Sequence, residues 1–409
     1  MTTHRNQHSN VSVGFTVMAM LVASIAGKVN CAIFAETNHT ALNAWQTTHT
    51  NPAFFPIAVW LQDPGNAPAY HDIGINTFVG LWEGPTDKQL SALSKAGMLV
   101  VCDQNQLALN HPACSNILAW MHRDEPDNAT TWGARFGLAK PVPVERVTAD
   151  YRRMIANDST RPVLLNLGQG VAWHNWYGRG TRNHHPEDYP LYLEACDIAS
   201  FDIYPATHLD AEVMGNLWYV PLGIERLRHW TRDEKPVWNC IETTHGDHPR
   251  FKPTPHEVRA EVWMSLIHGS RGIIYFAHQF KPKFVEAALL ADKEMLAAVT
   301  KLNQQIISLA PVLNSPTITN AVRIQSVNTA APIAMMVKQV GGFTYIFAVA
   351  MRPLETEGTF TLEQFPDLEV VEVLGENRNV FAKQGTFTDH FGPWDAHVYR
   401  VKFGSARGI

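Results

Sequence analysis

The sequence has little of what several kinds of functional site require. Only five of its 409 residues are cysteine, and no two of them form the CxxC pair that is typical of a structural zinc site. It also has no HExxH metal-binding helix, no GxSxG turn of a serine hydrolase and no glycine-rich first turn of a dinucleotide-binding sheet. Zinc sites of these types, serine-nucleophile chemistry and dinucleotide binding are therefore unsupported.

Charge is also sparse. Charged residues make up 17% of the chain and the net charge is -5, so no basic face is expected for a phosphate backbone and nucleic acid is not an expected partner. The 45% hydrophobic content is that of an ordinary soluble globular protein. Twelve tryptophans exceed what the core needs, and indole rings are good platforms for the apolar faces of sugars.

Residues 1–35 have the pattern of a secretory signal peptide and leader. Arg5 precedes an uncharged stretch from Val11 to Gly27, and small residues suited to cleavage follow. The stretch is short for a membrane-spanning helix, so contact with a membrane is expected only through an uncleaved leader. Cys31 raises the alternative of a lipoprotein, but the residues before it are not the usual small and aliphatic ones. A secreted or periplasmic protein is predicted.

The remaining cysteines leave two interpretations open. Cys102 and Cys114 are close enough in sequence for a disulfide in an oxidising compartment. Buried free thiols are the simpler interpretation. The sequence does not decide between them.

Eight short apolar runs alternate with amphipathic helical stretches between residues 50 and 310. The runs are Pro56–Trp60, Thr77–Leu81, Leu99–Cys102, Ile117–Met121, Val163–Leu167, Ile198–Tyr204, Val237–Glu242 and Gly272–Ala277. Strands apolar on both faces and joined by helices predict a parallel sheet covered by helices, and eight such units close into a (β/α)8 TIM barrel of about 250 residues. A doubly wound open sheet is the alternative, but it usually has fewer strands.

A second, smaller domain is predicted over residues 315–405. Helical periodicity stops near Leu309, and six runs with strand character follow, separated by turn residues. They are Val322–Val327, Ile333–Val340, Phe343–Met351, Gly358–Leu362, Glu369–Leu374 and His397–Phe403. This pattern is typical of a small antiparallel β-sandwich.

Two glutamates follow predicted strands. Glu125 comes just after the fourth run and Glu242 ends the seventh. Because the carboxyl ends of barrel strands form the active-site mouth, both side chains are expected there. Two facing carboxyl groups are what glycoside hydrolysis requires.

At these residues the chain resembles glycoside hydrolase clan A, a group of retaining (β/α)8 enzymes. The resemblance covers roughly Phe55 to Ala277. It implies that Glu125 is the general acid/base and Glu242 the nucleophile, about 5 Å apart, in a double displacement that needs no cofactor. It further implies a secreted enzyme acting on a β-linked glycan of the glucan or galactan type, of unknown oligomeric state.

One residue departs from that pattern. The clan usually has Asn before its acid/base glutamate, where this chain has Asp124. Some substrate-assisted N-acetylhexosaminidases use adjacent Asp and Glu, the Asp orienting a 2-acetamido group and the Glu acting as acid. A third interpretation needs no catalysis, because acidic residues before Pro126 also suit a helix N-terminus.

Other polar and aromatic residues at predicted strand ends are candidates for substrate binding. Tyr204 is expected to orient the Glu242 carboxylate. The full set of candidates is Trp60, Glu83, Asn105, Asp124, Asn166, Trp173, Asp202, Tyr204, His245 and His278.

Two rival functions remain open. The chain has 19 histidines, and a metal-dependent hydrolase would require His174, His184, His185 and His245 to converge. A non-catalytic glycan-binding barrel would keep the aromatic cleft without turnover. Neither rival explains why the glutamates follow the fourth and seventh strands.

Overall fold

The computed structural model describes residues 51–129, 139–362 and 370–402. The predicted signal peptide lies outside these ranges. Within them, no helix combines the length and the apolar character needed to cross a membrane.

Eight parallel strands close into a barrel in chain order. They are β1 (Ile57–Trp60), β2 (Thr77–Val79), β3 (Leu99–Cys102), β4 (Ile117–Met121), β5 (Val163–Leu167), β6 (Ile198–Phe201), β7 (Val237–Glu242) and β8 (Ser270–Phe276). Strand β1 pairs with both β2 and β8, which closes the sheet. The predicted (β/α)8 barrel is confirmed.

Nine helices lie around the barrel among the described residues, and four of them begin at a residue whose side chain caps the helix. They are α1 (Ala67–Asp72), α2 (Asp87–Lys95), α3 (Gln106–Asn110), α4 (Val144–Asn157), α5 (Tyr189–Leu193), α6 (Tyr219–Trp230), α7 (Pro255–Ile267), α8 (Ala288–Ala291) and α9 (Lys293–Leu313). Thr86 and Thr254 form capping boxes with Gln89 and Glu257, which satisfy the first free N–H groups of α2 and α7.

Helix α9 continues past the end expected near Leu309, although Pro311 lies inside it. A proline in the last turn removes one backbone donor. Val312 and Leu313 are buried in the core, and this apolar burial offsets the lost hydrogen bond. The expected break at Ala310 was therefore wrong by one turn.

The barrel interior is filled by apolar side chains from alternate strand positions. These include Ala58, Val79, Val101, Leu118, Met121, Leu164, Ile198, Trp238, Cys240 and Ile274. Trp238 lies against Gly272 of β8, where an added Cβ would be 2.5 Å from the indole ring. The interior is thus a packed core and not a channel, so a binding site is confined to the ends of the barrel.

The C-terminal region forms two antiparallel sheets. Its strands are β9 (Arg323–Ser326), β10 (Ile333–Val340), β11 (Phe343–Ala350), β12 (Thr356–Thr361), β13 (Val370–Val373), β14 (Arg378–Phe381), β15 (Thr386–Phe391) and β16 (Ala396–Lys402). One sheet has the order β10-β11-β16-β13-β14 and the other β15-β12-β9. Phe360, Phe387 and Tyr399 pack between them. The predicted β-sandwich is confirmed, with β14 and β15 added.

Helix α7 of the barrel packs against this domain. Trp263 packs on Phe347 of β11 with ring centroids 5.6 Å apart. Arg259 donates a hydrogen bond to the carbonyl of Ala396 at 2.7 Å. The helix that follows the strand of Glu242 therefore has its outer face covered by the β-sandwich.

The state of the cysteines shows whether Cys102 and Cys114 form a disulfide. Cys102, Cys196 and Cys240 are buried free thiols, whereas Cys114 is disulfide-bonded. A Cys102–Cys114 disulfide is therefore not formed, since Cys102 is a free thiol.

Replacing Gly223 of α6 by alanine is expected to destabilise the barrel. An added Cβ would lie 2.2 Å from the ring of Phe201, which costs about 1–3 kcal/mol in a packed core. The gain in helix propensity is only about 1 kcal/mol. Chemical denaturation should show a net loss, whereas His229→Ala on the exposed face of α6 should change stability by less than about 0.5 kcal/mol. Equal stabilities for the two variants would contradict this packing.

Candidate active site

Four acidic residues lie at the carboxyl ends of barrel strands. Asp124 and Glu125 follow β4, Asp202 follows β6 and Glu242 is the last residue of β7. Since all strands are parallel, these positions share one edge of the barrel. Asn166 of β5 lies between the first two groups, so three adjacent strands contribute to one cluster.

The amide of Asn166 connects two of the carboxylates. Its Nδ2 donates to Asp124 Oδ1 at 3.0 Å and lies 3.5 Å from Asp202 Oδ1. The hydroxyl of Ser200 donates to its Oδ1 at 2.9 Å, which fixes the orientation of the amide. Asn166 is thereby aimed at both acids and holds them at set positions.

The carboxyl groups of Glu125 and Asp202 are hydrogen-bonded to each other. Such a bond requires a proton on one of them. Burial, and then the charges of Asp202 and Asp124, raise the pKa of Glu125 well above its usual range. Burial also raises the pKa of Asp202 to about 7, but the hydrogen bonds from Glu125 and Tyr204 favour its ionised form. Glu125 is therefore the group that carries the proton.

Asp124 differs from its neighbour in exposure. Its side chain is open to solvent at the mouth. Surrounding protein atoms raise its pKa to about 6, and the hydrogen bond from Asn166 partly opposes that rise. At neutral pH the chain thus presents an ionised carboxylate next to a protonated one.

The backbone at Glu125 has an uncommon conformation. Its φ is 41°, in the left-handed region that non-glycine residues rarely adopt. The Glu125 N–H donates to the carbonyl of Asn166 at 3.1 Å. The buried Asp127 carboxylate accepts the N–H of Gly168 at 2.9 Å and the Tyr189 hydroxyl at 3.3 Å. These bonds hold the turn that directs Glu125 toward Asp202.

Glu242 is held by the loop after β6. One carboxylate oxygen accepts the N–H of Ala206 at 2.6 Å, and the other accepts the hydroxyl of Thr207. The residue is 2% exposed. Burial raises its pKa to about 8, although both hydrogen bonds favour the ionised form.

Tyr204 does not have the contact expected from the sequence. Its hydroxyl hydrogen-bonds with Asp202, while Ala206 and Thr207 hold Glu242. The reason is that β6 ends at Phe201, so the following loop presents several residues to the two neighbouring acids. Nothing in the sequence distinguishes Thr207 from other loop threonines.

The structure gives several predicted binding residues a structural position. Asn105 caps α3 and donates to the carbonyl of Pro85 at 2.8 Å. Trp173 is buried, and its Nε1 donates to Glu212 at 2.9 Å. Trp60 packs inside the barrel.

Three predicted residues lie in loops at the carboxyl ends of other strands. Glu83 is exposed after β2 and has a φ of 51°. His245 is partly exposed after β7. His278 is buried after β8, with its Nε2 3.1 Å from the carbonyl of Leu61. Within the described ranges, no hydrogen bond or ring contact joins any of these three residues to Asp124, Glu125 and Asp202, which we call the carboxyl cluster.

The histidines do not assemble a metal site in the described ranges. The rings of His174 and His184 are 4.7 Å apart, and His185 contacts Glu187 at 2.6 Å. No group of three or more His, Cys, Asp or Glu among the described residues is arranged to hold a metal ion. The metal-dependent alternative gains no support from these side chains.

Comparisons with solved structures show the fold of the chain. A putative α-galactosidase/melibiase from Bacteroides fragilis has a TM-score of 0.54 at 9% identity, with 86% of this chain and 79% of that chain covered. A second putative α-galactosidase from the same organism has a TM-score of 0.52 at 9% identity, with 86% and 80% covered. A maltogenic α-amylase from Thermotoga neapolitana has a TM-score of 0.50 at 12% identity, with 85% and 99% covered.

Comparisons at the level of sequence find no relative. No protein-family model matches the chain, and no curated protein matches it. The barrel is therefore similar to those of solved glycosidases in fold, and the chemistry has to be argued from the side chains.

A further acid lies behind β7. Glu261 of α7 is fully buried, and neither of its carboxylate oxygens has a hydrogen-bond partner among the described residues. Ser265, one turn later, accepts a hydrogen bond from Asn239 of β7 at 2.9 Å, which places Glu261 on the face of α7 toward that strand. Burial, followed by the charge of Glu242, raises its pKa well above the usual range.

Glu261→Met is expected to remove a pH-dependent loss of stability. The raised pKa means that stability from this group is complete below its unfolded pKa, about 4.3, and falls as pH rises toward the folded pKa, by roughly 1.4 kcal/mol per pH unit. Thermal melts at pH 5, 7 and 9 should show the variant gaining on the wild-type protein as pH rises. The exposed Glu145→Met should follow the wild-type curve, and parallel curves for Glu261→Met would refute this expectation.

Proposed function

We propose that this protein is a glycoside hydrolase in which Glu125 is the general acid/base. The observation that carries the proposal is the hydrogen bond between Glu125 and Asp202 at the mouth of a closed barrel, which keeps a proton on Glu125. A glycosidase needs a carboxylic acid that stays protonated near neutral pH so that it can protonate the leaving oxygen. The fold neighbours, described as α-galactosidases and an α-amylase, support the same reaction class.

In the proposed reaction, Glu125 gives its proton to the glycosidic oxygen as that bond breaks. Asp202 is hydrogen-bonded to Glu125 before the reaction and holds the acid in position. The same hydrogen bond forms again when Glu125 is reprotonated. The buried amide of Asn166 holds Asp124 and lies close to Asp202, so it keeps both acids in place beside Glu125. No cofactor is required for these steps.

Glu242 is the proposed nucleophile, as the resemblance to clan A implies. Its two hydrogen bonds, from Ala206 and Thr207, fix the direction of the carboxylate and favour its ionised form. Attack on the anomeric carbon would give a glycosyl-enzyme, which water then hydrolyses with Glu125 as base, so that configuration is retained. Because its pKa is raised to about 8, the ionised fraction of Glu242, and the rate with it, is expected to rise with pH through neutrality.

A specific observation favours a second mechanism. Asp124 is exposed and has a pKa of about 6, so it is ionised at neutral pH while the adjacent Glu125 is not. This is the arrangement of a substrate-assisted N-acetylhexosaminidase, in which Asp124 would orient the 2-acetamido group that attacks the anomeric carbon. Glu242, which is 2% exposed, would then have no part in the chemistry.

The proposed linkage is β, in a glucan or galactan, because clan A enzymes pair glutamates after strands four and seven. The named activities of the fold neighbours concern α-linked substrates, so both anomers belong in the test. Secretion is proposed from the leader sequence alone. A glycan-binding barrel without turnover remains the non-enzymatic outcome of the same experiment.

Glu125→Gln is expected to lower kcat/KM for an unactivated glycan by about 10²–10⁴-fold, because the general acid is lost. The purified protein should be screened on α- and β-linked glucans, galactans and N-acetylhexosamine oligomers, with product configuration followed by NMR. Asn116→Asp, which introduces a carboxylate far from the mouth, serves as a control. Full activity of Glu125→Gln would refute the assignment.

The pH profile of kcat/KM should separate the two mechanisms. A carboxylate that attacks or orients must be ionised, so the rate falls as pH drops below its pKa. For double displacement we expect an acidic limb near pH 8 in the wild-type protein and loss of turnover at every pH in Glu242→Gln. An acidic limb near pH 6 that is abolished by Asp124→Asn, with Glu242→Gln active, would overturn the nucleophile assignment. In both cases the basic limb is expected from Glu125, whose pKa is raised well above its usual range.

A further inference from the structure

A continuous series of aromatic rings leads from the carboxyl cluster to the rim of the barrel. Tyr204, which hydrogen-bonds Asp202, lies 4.9 Å from the ring of Phe276 at the end of β8. Phe276 is 6.1 Å from Phe280, and Phe280 is 5.7 Å from Phe284. We call Tyr204, Phe276, Phe280 and Phe284 the aromatic row.

Exposure increases along the aromatic row. Tyr204 and Phe276 are partly buried, whereas Phe280 is 41% and Phe284 is 61% exposed. Leaving large apolar rings in water has no benefit for folding, and a contiguous exposed apolar patch commonly marks a binding surface. The aromatic row therefore extends from the carboxyl cluster to the solvent-exposed rim of the barrel.

The loop that carries the outer rings is fixed by backbone hydrogen bonds. Gln279 and Val285 exchange two such bonds at 2.9 and 2.8 Å, and Phe280 N–H donates to the carbonyl of Gly246 at 2.8 Å. Beneath the loop, the buried His278 ring stacks on Phe280 and Phe284, with interplanar angles of 8° and 24°. The two rings are thus held in place before any ligand arrives, which lowers the entropic cost of binding.

We propose that the aromatic row binds successive sugar units of a glycan chain beyond the bond that is cleaved. The inner end of the row adjoins Asp202, so a chain whose scissile bond meets Glu125 extends over Phe276 and then over Phe280 and Phe284. The C–H faces of sugars pack on flat aromatic rings. The substrate class is accordingly an oligo- or polysaccharide of at least three units and not a disaccharide. This inference rests on the proposed function.

Binding is to be measured by calorimetry in the Glu125→Gln background with cello-, laminari-, β-1,4-galacto- and malto-oligosaccharides of two to six units. For the series that binds, affinity should rise with chain length. Phe284→Ala should weaken binding of the longest oligomer roughly 3- to 10-fold and leave the disaccharide unchanged. Phe280→Ala should already weaken binding of shorter oligomers.

Phe381→Ala is the matched control, because Phe381 is 78% exposed on β14 of the C-terminal domain, away from the mouth. It should bind every oligomer as the parent does. Chain-length-dependent binding that Phe284→Ala removes, in a protein whose wild-type form turns over nothing, would support the aromatic row and contradict the hydrolase proposal. Turnover of a polymer that Phe280→Ala and Phe284→Ala leave unchanged would contradict the row alone.

Two further results would overturn the inference. One is the absence of binding to all four oligosaccharide series. The other is wild-type self-association, detected by analytical ultracentrifugation, that Phe284→Ala abolishes while glycan binding is unaffected. Thermal melts of Phe284→Ala should match the parent, because the ring of Phe284 is 61% exposed.

Discussion

The candidate site depends on one proton placed between the carboxyl groups of Glu125 and Asp202. Two ionised carboxylates at hydrogen-bond distance would repel each other strongly in a region of low dielectric constant. Retaining the proton relieves that repulsion and makes Glu125 an acid. The strand order of the barrel makes this pairing achievable, since β4 and β6 are separated only by β5, whose Asn166 occupies the gap with a neutral amide.

The same desolvation acts differently on each acid at this end of the barrel. The pKa of Asp124, which is exposed, rises to about 6, whereas the pKa of the buried Glu242 rises to about 8 and that of the buried Glu261 rises well above its usual range. Hydrogen-bond donors offset the burial of Glu242, and nothing comparable among the described residues does so for Glu261. Roles for neighbouring carboxyl groups thus follow from their surroundings and not from residue type.

Much of the barrel was predictable because its strands are buried on both faces. The bounds of β3, β4, β5 and β7 agree with the apolar runs read from the sequence, since such runs end where polar loop residues begin. Strand β14, Arg378–Phe381, was missed because it has only four residues and its partly buried and exposed positions do not match its apolar and polar residues. The end of α9 was misplaced because tertiary burial of Leu313 outweighs the local effect of Pro311.

The placement of Glu125, Asp202 and Glu242 near strand ends was also predictable, but their partners were not. Which acid Tyr204 contacts, and the hydrogen bond from Thr207 to Glu242, both depend on the path of the loop after β6. The periodicity of apolar residues predicts which face of a helix or strand is buried. The side-chain contacts of Tyr204 and Thr207 depend instead on the three-dimensional positions of loop atoms.

The left-handed backbone of Glu125 lowers the stability of the protein at a residue whose side chain the proposed reaction needs. Only glycine adopts such a φ without strain, and relaxing a strained backbone position commonly stabilises a protein. Selection for thermal stability alone would thus favour Glu125→Gly, which would give a more stable barrel with no acid at its mouth. Glutamate at this position keeps an acid at the mouth and accepts the backbone strain that glycine would avoid.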